Sequence, residues 1–406
     1  MNSRAIEKRG IFALIGSSAA IFWSGALAFG FPGVMAPLWQ QMFHVGKGAI
    51  GNTLFFMLAA LGLVMFFVGR WQERFGMRAM IMTGTILFSA SILVIAFATN
   101  IYLLYLWAFL TGVSNCFIYT PALTSVQRWF PARRGLVSGI VNFTFGISAA
   151  IMSPLFQRML ETMGYIKMNL AVAAMALVTG LVAARFTECP EHAALRSPDA
   201  PSSGTQPNPA LENSLTVRES IRTRAFWFLW LTWAFQGAAG VAMVTLSTTF
   251  GLSRGYSMAS AVVILTAFNL MNGGSRLVMG HLSDIINRRK AMSLTFLAAG
   301  AAYLLLPHVA GLAMIATLAA VIGFAFGTLF SVSAPLVADC FGLRHFGAIL
   351  GLVFTAYGFV AGLLGPSLSG YLLDVTGGNF VLVFSYLGLF CFLSGGFIHF
   401  VTPPRH

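Results

Sequence analysis

The sequence is poor in charge. Only 9% of its 406 residues are Asp, Glu, Lys or Arg, against about 25% in a soluble domain. With 58% hydrophobic residues it reads as membrane-embedded. Acids are scarcer still: 11 Asp and Glu stand against 24 Lys and Arg. The acids are Glu7, Glu73, Glu161, Glu188, Glu191, Asp199, Glu212, Glu219, Asp284, Asp339 and Asp374, and none lies in the middle of a long apolar run. The seven histidines are likewise peripheral. This argues against an intramembrane carboxylate relay. It also argues against a membrane-embedded hydrolase, which needs clustered acids, histidines or a nucleophile beside a base. There is no P-loop or other nucleotide-binding motif. Cys116, Cys189, Cys340 and Cys391 show no paired spacing, so no disulfide framework, zinc site or other cofactor is expected. The net charge of +13 sits at the ends of apolar segments, so no nucleic-acid partner is expected either.

What is abundant is apolar length. A membrane-spanning helix needs about 20 apolar residues to cross about 30 Å of hydrocarbon. Twelve segments qualify, near 11–38, 49–69, 79–99, 101–126, 135–157, 168–186, 225–250, 258–281, 291–309, 311–338, 346–372 and 380–401. The first is too long for a signal peptide and lacks a clear cleavage site, so it is expected to be the first span. Between the sixth and seventh lies a polar stretch with Pro190, Pro198, Pro201, Pro207 and Pro209, of flexible-linker composition. Its end carries Thr216 and Glu219 at capping-box spacing, which predicts a short surface helix. The expected architecture is all-α, twelve transmembrane helices in two six-helix bundles: 1–187, a cytoplasmic linker over 188–222, and 223–406. Lys and Arg concentrate at one set of helix ends, leaving only Lys47, Arg158, Lys167 and Arg254 at the other and Arg276 within a span. The positive-inside rule then puts both termini in the cytoplasm. The expected setting is a bacterial plasma (inner) membrane, with the chain a monomer in the lipid bilayer.

The two halves repeat. Gly135, Gly139, Gly146 and Pro154 recur as Gly347, Gly351, Gly358 and Pro366, each 212 positions on. Such repeats imply a pseudo-twofold axis along the membrane normal and a substrate site at mid-membrane between the halves. Gly69-Arg70-Trp71-Gln72-Glu73-Arg74-Phe75-Gly76-Met77-Arg78 joins the second and third segments. It resembles the major facilitator signature G-x-x-x-D-R-x-G-x-R, with Glu in place of Asp. Gly280 and Asp284, followed by Arg288, Arg289 and Lys290, form a weaker second copy. Gly69, Glu73, Arg74, Gly76, Arg78, Gly280 and Asp284 are expected to latch a gate rather than touch substrate. The plain alternative is a solvated charged turn.

Arg276 is the one strongly charged residue deep in a long apolar segment. A cation at a helix centre costs about 2.5–3.5 kcal/mol on insertion scales, so it marks a cavity and an anionic partner. Asn269, Asn272, Gly273 and Arg276 fall at i, i+3, i+4 and i+7, on one helical face. A second reading of Arg276 is a side chain that snorkels to the interface past Gly280. Asn115 and Tyr119 share a face of the fourth segment, with Pro121 beside them. The repeat pairs Asn142 and Phe145 of the fifth segment with Phe354 and Tyr357 of the eleventh. Phe330, Leu27 and Phe31 are candidate walls for an apolar substrate end; simple packing is the alternative for each.

Two blocks sharpen the family reading. Pro335 to Gly377, PLVADCFGLRHFGAILGLVFTAYGFVAGLLGPSLSGYLLDVTG, and Trp129-Phe130-Pro131-Ala132-Arg133-Arg134 resemble the proton-linked monocarboxylate transporter family. The oxalate:formate antiporter family is a similar neighbour. The resemblance implies that Arg276 binds a substrate carboxylate, that lactate or pyruvate is the substrate type, and that protons move with it. Three positions depart from it. Asn272 stands where animal monocarboxylate transporters have Asp, Gly33 follows Phe31-Pro32 where they have Lys, and Tyr357 stands where the oxalate carrier has a second cation. One cation complements one negative charge, and a second charge left unpaired in low dielectric is costly, which favours a monocarboxylate. Without that Lys and Asp the proton route stays open. Secondary transport by alternating access is the first expectation; an organic-anion exchanger and a non-transporting sensor are the alternatives.

Overall fold

The computed structural model describes residues 3–130, 133–187, 214–342 and 345–403; side chains at 3–7, 73, 134, 135, 284, 346 and 347 lie outside that description. Every regular element among the described residues is helical. Among these residues twelve helices are long and apolar enough to cross a membrane: α1 (Lys8–Phe43), α2 (Lys47–Gln72), α3 (Met77–Ala96), α4 (Ile101–Trp129), α5 (Leu136–Met163), α6 (Tyr165–Ala184), α7 (Arg224–Ser253), α8 (Met258–Ser283), α9 (Arg288–His308), α10 (Leu312–Phe341), α11 (Ala348–Val375) and α12 (Phe380–Phe400). Twelve spans put the start of α1 and the end of α12 on one side, the termini face; the other is the far face.

Local chemistry fixes the helix ends. Asn100, Thr223 and Ser257 accept hydrogen bonds from the backbone N–H groups of Leu103, Phe226 and Ser260, capping α4, α7 and α8. Gly76 and Gly164, with φ of 82° and 75°, turn the chain between consecutive helices where a side chain would be strained. The expected capping box is present: Thr216 and Glu219 cap each other around a single turn, Val217–Ser220. The preceding stretch to residue 213 lies outside the described residues.

The halves repeat in packing as well as in sequence. Helices α1 and α4, α1 and α5, α2 and α4, α3 and α4, and α3 and α6 pack together; so do their counterparts six helices later. Across the halves, α5 packs on α8, α2 on α11 and α1 on α7, and the repeat exchanges the first two pairs.

These seams are tight towards the far face and open towards the termini face. A Cβ on Gly146 of α5 would come within 2.4 Å of the Gly273 Cα of α8, whereas one on Gly139, two turns closer to the termini face, would meet nothing nearer than 4.0 Å. Along α2, a Cβ on Gly51 would lie 2.2 Å from the Pro366 carbonyl oxygen, and one on Gly69 would meet nothing within 4 Å. The helices are in backbone contact at one end and splayed at the other.

Candidate functional site

Arg276 lies on α8 and is 1% exposed. Its NH2 donates to Asn272 Oδ1 at 3.3 Å, one turn back towards the far face. Its Nε and NH1 have no hydrogen-bond partner, and among the described residues no carboxylate pairs with it. The guanidinium sits over Phe330 of α10 at 4.4 Å and Phe145 of α5 at 5.4 Å from the ring centroids. Two such contacts are worth about 0.5–2 kcal/mol each, while burying an ion costs several kcal/mol. The rings reduce the penalty without removing it. The snorkelling alternative fails on geometry, because the head is bonded one turn towards mid-membrane and not extended past Gly280.

The guanidinium borders a central cavity of about 60 Å³, where about 10–15 Å³ accommodates one water. Only Asn115, Tyr119, Tyr357 and Arg276 among its lining residues carry polar side-chain atoms. Phe145, Phe330 and Phe354 are also on its wall, with the apolar row Leu54, Met57, Leu58, Leu61 and Met65 of α2. Within this shell Tyr357 Oη and Asn115 Oδ1 are buried without partners, as is Asn272 Nδ2 behind the arginine. The orphaned atoms are mostly donors, converging on a small apolar space. That arrangement suits a compact anion with an apolar end.

Two of the expected walls are elsewhere. Leu27 is buried but does not line the cavity, and Phe31 packs into Trp39, Trp107 and Phe156 inside the first half. Ala28 and Phe29 take their place. The cause is a π-helical turn, Ala26–Gly30, just before Pro32. Its extra residue rotates the face of α1 that meets the cavity, as π-bulges do at functional sites. The α11 wall has a related break: π turns over Ala356–Ala361 and Leu363–Ser367 set the direction of Tyr357. Asn142 accepts from the Tyr119 hydroxyl at 2.6 Å and faces a second space instead of the central cavity.

That second space, about 530 Å³, shares Met65, Tyr119, Phe330 and Phe354 with the central cavity. It runs to Gly69, Arg70, Gln72 and Gln127 at the termini-face ends of α2 and α4. Gly69 and Gly280 have open space beside them, and Arg74 lies over the Phe75 ring at 5.4 Å. Gly76 caps the helical continuation of α2 to Phe75 and Arg78 lies in the first turn of α3, while the Glu73 and Asp284 side chains fall outside the described residues. On the far side the path is closed. Pro37 has no N–H to offer the Gly33 carbonyl, and the Thr248 hydroxyl of α7 donates to it instead at 2.5 Å. Asn269 Nδ2 of α8 donates to the Phe29 carbonyl at 3.1 Å. The site is therefore reached from the termini face and sealed from the far face.

Comparison with known proteins gives the family. The family model described as Major Facilitator Superfamily matches residues 17–278 and 259–406. The chain is 27% identical over 328 residues to the MFS-type transporter YhjX of Escherichia coli, covering 80% of this chain and 77% of that one. It is 26% identical over 337 residues to the oxalate:formate antiporter of Oxalobacter formigenes, covering 82% and 78%. It is 30% identical over 347 residues to human monocarboxylate transporter 11, covering 82% and 70%. In fold it is similar to a bacterial homologue of the human lysosomal transporter Spinster, in an inward-facing and unoccupied crystal structure, with TM-score 0.71 and 14% identity over 99% of this chain and 95% of that one. The chain belongs to the Major Facilitator Superfamily, as a multi-pass membrane transporter.

Proposed function

We propose that the chain carries small monocarboxylates of the lactate or pyruvate type across a bacterial plasma membrane, by proton symport and alternating access. The observation that carries this reading is the buried Arg276 with two unused N–H-bearing nitrogens and, among the described residues, no acid beside it. A carboxylate supplies two coplanar acceptor oxygens for a guanidinium fork, made by Nε or NH1 together with NH2, which has a second N–H beyond the one given to Asn272. The Tyr357 hydroxyl can donate to a 2-oxo or 2-hydroxy oxygen, the Asn115 amide oxygen can accept from a 2-hydroxyl, and the phenylalanines cover the alkyl end. A free volume of about 60 Å³ corresponds to about five water-sized occupants, the scale of a short-chain acid.

With the termini cytoplasmic, as the positive-inside asymmetry supports, the open vestibule faces the cell interior. Binding cancels the Arg276 charge and lowers the electrostatic penalty of closing the vestibule. The halves then rock about the site.

A second reading, exchange of organic anions, is favoured by one observation. With no acid among the described residues to neutralise Arg276, the empty carrier must close over a bare cation, and a carrier that isomerises readily only when loaded is an exchanger. The human and Oxalobacter relatives bear names of both kinds, monocarboxylate transporter and antiporter. Uptake of labelled lactate, pyruvate, acetate and oxalate into proteoliposomes, with and without a pH gradient, separates the readings. Lactate uptake driven by an acidic outside supports symport. Oxalate–formate counterflow indifferent to pH defeats it.

A further inference from the structure

The far-face closure includes a pair of charge-assisted hydrogen bonds between the halves. Asp374, near the end of α11, accepts from the Lys47 N–H at 2.9 Å and the Gly48 N–H at 2.8 Å, one through each carboxylate oxygen. These are the first amides of α2, which have no partner inside their own helix. The residue before them, Gly46, has no side chain with which to cap them. A Cβ there would stand 2.3 Å from Asp374 Oδ2, so the carboxylate occupies the space a local cap would use. The helix is capped from the other half of the molecule.

The position suits a gate. Asp374 is exposed at the far face, so water can replace its bonds once the helices part. Around it the two backbones touch: a Cβ on Gly370 would lie 2.3 Å from the Lys47 carbonyl oxygen. At the other end of the same helices, Gly69 and Gly351 have no neighbour within 4 Å. The α2–α11 pair is thus joined at one end and splayed at the other. A carboxylate at a helix N-terminus gains from the helix dipole, and its bonds to N–H are charge-assisted. Both gains vanish when the pair opens.

We infer that Asp374 is a gate residue of the transport cycle: it holds the far-face gate shut by capping α2 from α11, and its release is a step in opening the site to that face. This does not depend on which anion Arg276 binds.

Gly48 and Tyr371 report the gate directly, since a Cβ on Gly48 stands 3.3 Å from the Tyr371 Cβ, near the about 3.8 Å of a disulfide. In full-length protein in nanodiscs, with Cys189→Ser, the pair Gly48→Cys and Tyr371→Cys is expected to cross-link on mild oxidation. In proteoliposomes the same cross-link should stop transport until it is reduced. Adding Asp374→Ala is expected to slow cross-linking by about fivefold or more. Asp374→Asn, which keeps one acceptor oxygen without the charge, should fall between. The unfolding temperature of each variant separates a shifted gate from a damaged fold. Cross-linking in Asp374→Ala as fast as with the native residue overturns the inference. If that variant does not fold, Asp374→Asn carries the test, and an unchanged rate there overturns it equally.

Discussion

Arg276 and Asn272 sit one turn apart on α8, joined by a 3.3 Å hydrogen bond from NH2 to Oδ1. The bond turns the guanidinium back along its own helix and leaves Nε and NH1 without partners at the edge of the central cavity. The arginine is thereby oriented without being neutralised.

Orientation matters because Arg and Lys differ in shape more than in charge. Arg276→Lys keeps the cation and loses the planar fork. Loss of one charge-assisted hydrogen bond is worth about 2 kcal/mol, or about 30-fold in affinity. Uptake by Arg276→Lys in proteoliposomes is expected to fall by at least that factor, while the purified protein elutes as the native one does.

Asn272→Ala removes the one hydrogen bond that holds the fork. The arginine keeps its charge, so binding is weakened and not abolished. A rise in KM of about tenfold, equivalent to about 1.4 kcal/mol, is expected from concentration-dependent uptake. Asn272→Asp is expected to raise KM further, because an acid at that position competes with the substrate for the guanidinium.

Tyr357 decides how many negative charges the cavity tolerates. Its hydroxyl is buried and unpartnered beside the arginine. Tyr357→Lys adds a second cation where a dicarboxylate needs one. The ratio of oxalate to lactate uptake is expected to rise about tenfold or more, since a buried charge left unpaired is penalised strongly.

The glycine seam gives a stability contrast. Gly146→Ala drives a methyl into the Gly273 backbone, which cannot move aside as a side chain can. Overpacking of this kind costs about 1–3 kcal/mol. Gly139→Ala meets only Leu277 Cδ1 at 4.0 Å and gains helix propensity of up to about 1 kcal/mol. Unfolding temperatures in detergent should fall for the first and hold or rise for the second.

Much of this was legible in the sequence, for physical reasons. Twelve apolar runs of spanning length leave little choice of fold, and the glycines and prolines of α5 and α11 recur because the halves share a packing plan. Arg276 stood out because a cation at that depth demands an explanation. The walls of the cavity were harder to read. Leu27 and Phe31 would share a face of a regular helix, but the π turn at Ala26–Gly30 breaks that period; Pro32 marks the disturbance without saying which way the helix turns. Leu54, Met57, Leu58, Leu61 and Met65 lie on one face of α2. In a helix that is apolar all round, a cavity-facing residue looks the same as a lipid-facing one. Asp374 carries no local signal, because its partners are backbone amides 327 and 326 residues away.

The most direct measurement is a structure of the protein with lactate bound. The expected result is a carboxylate on the guanidinium, one oxygen within hydrogen-bond distance of Arg276 Nε or NH1 and the other near NH2, its alkyl end against Phe330 and Phe354. A carboxylate bound elsewhere, with those two nitrogens still unpaired and Asn272 still the only partner of the guanidinium, would contradict it.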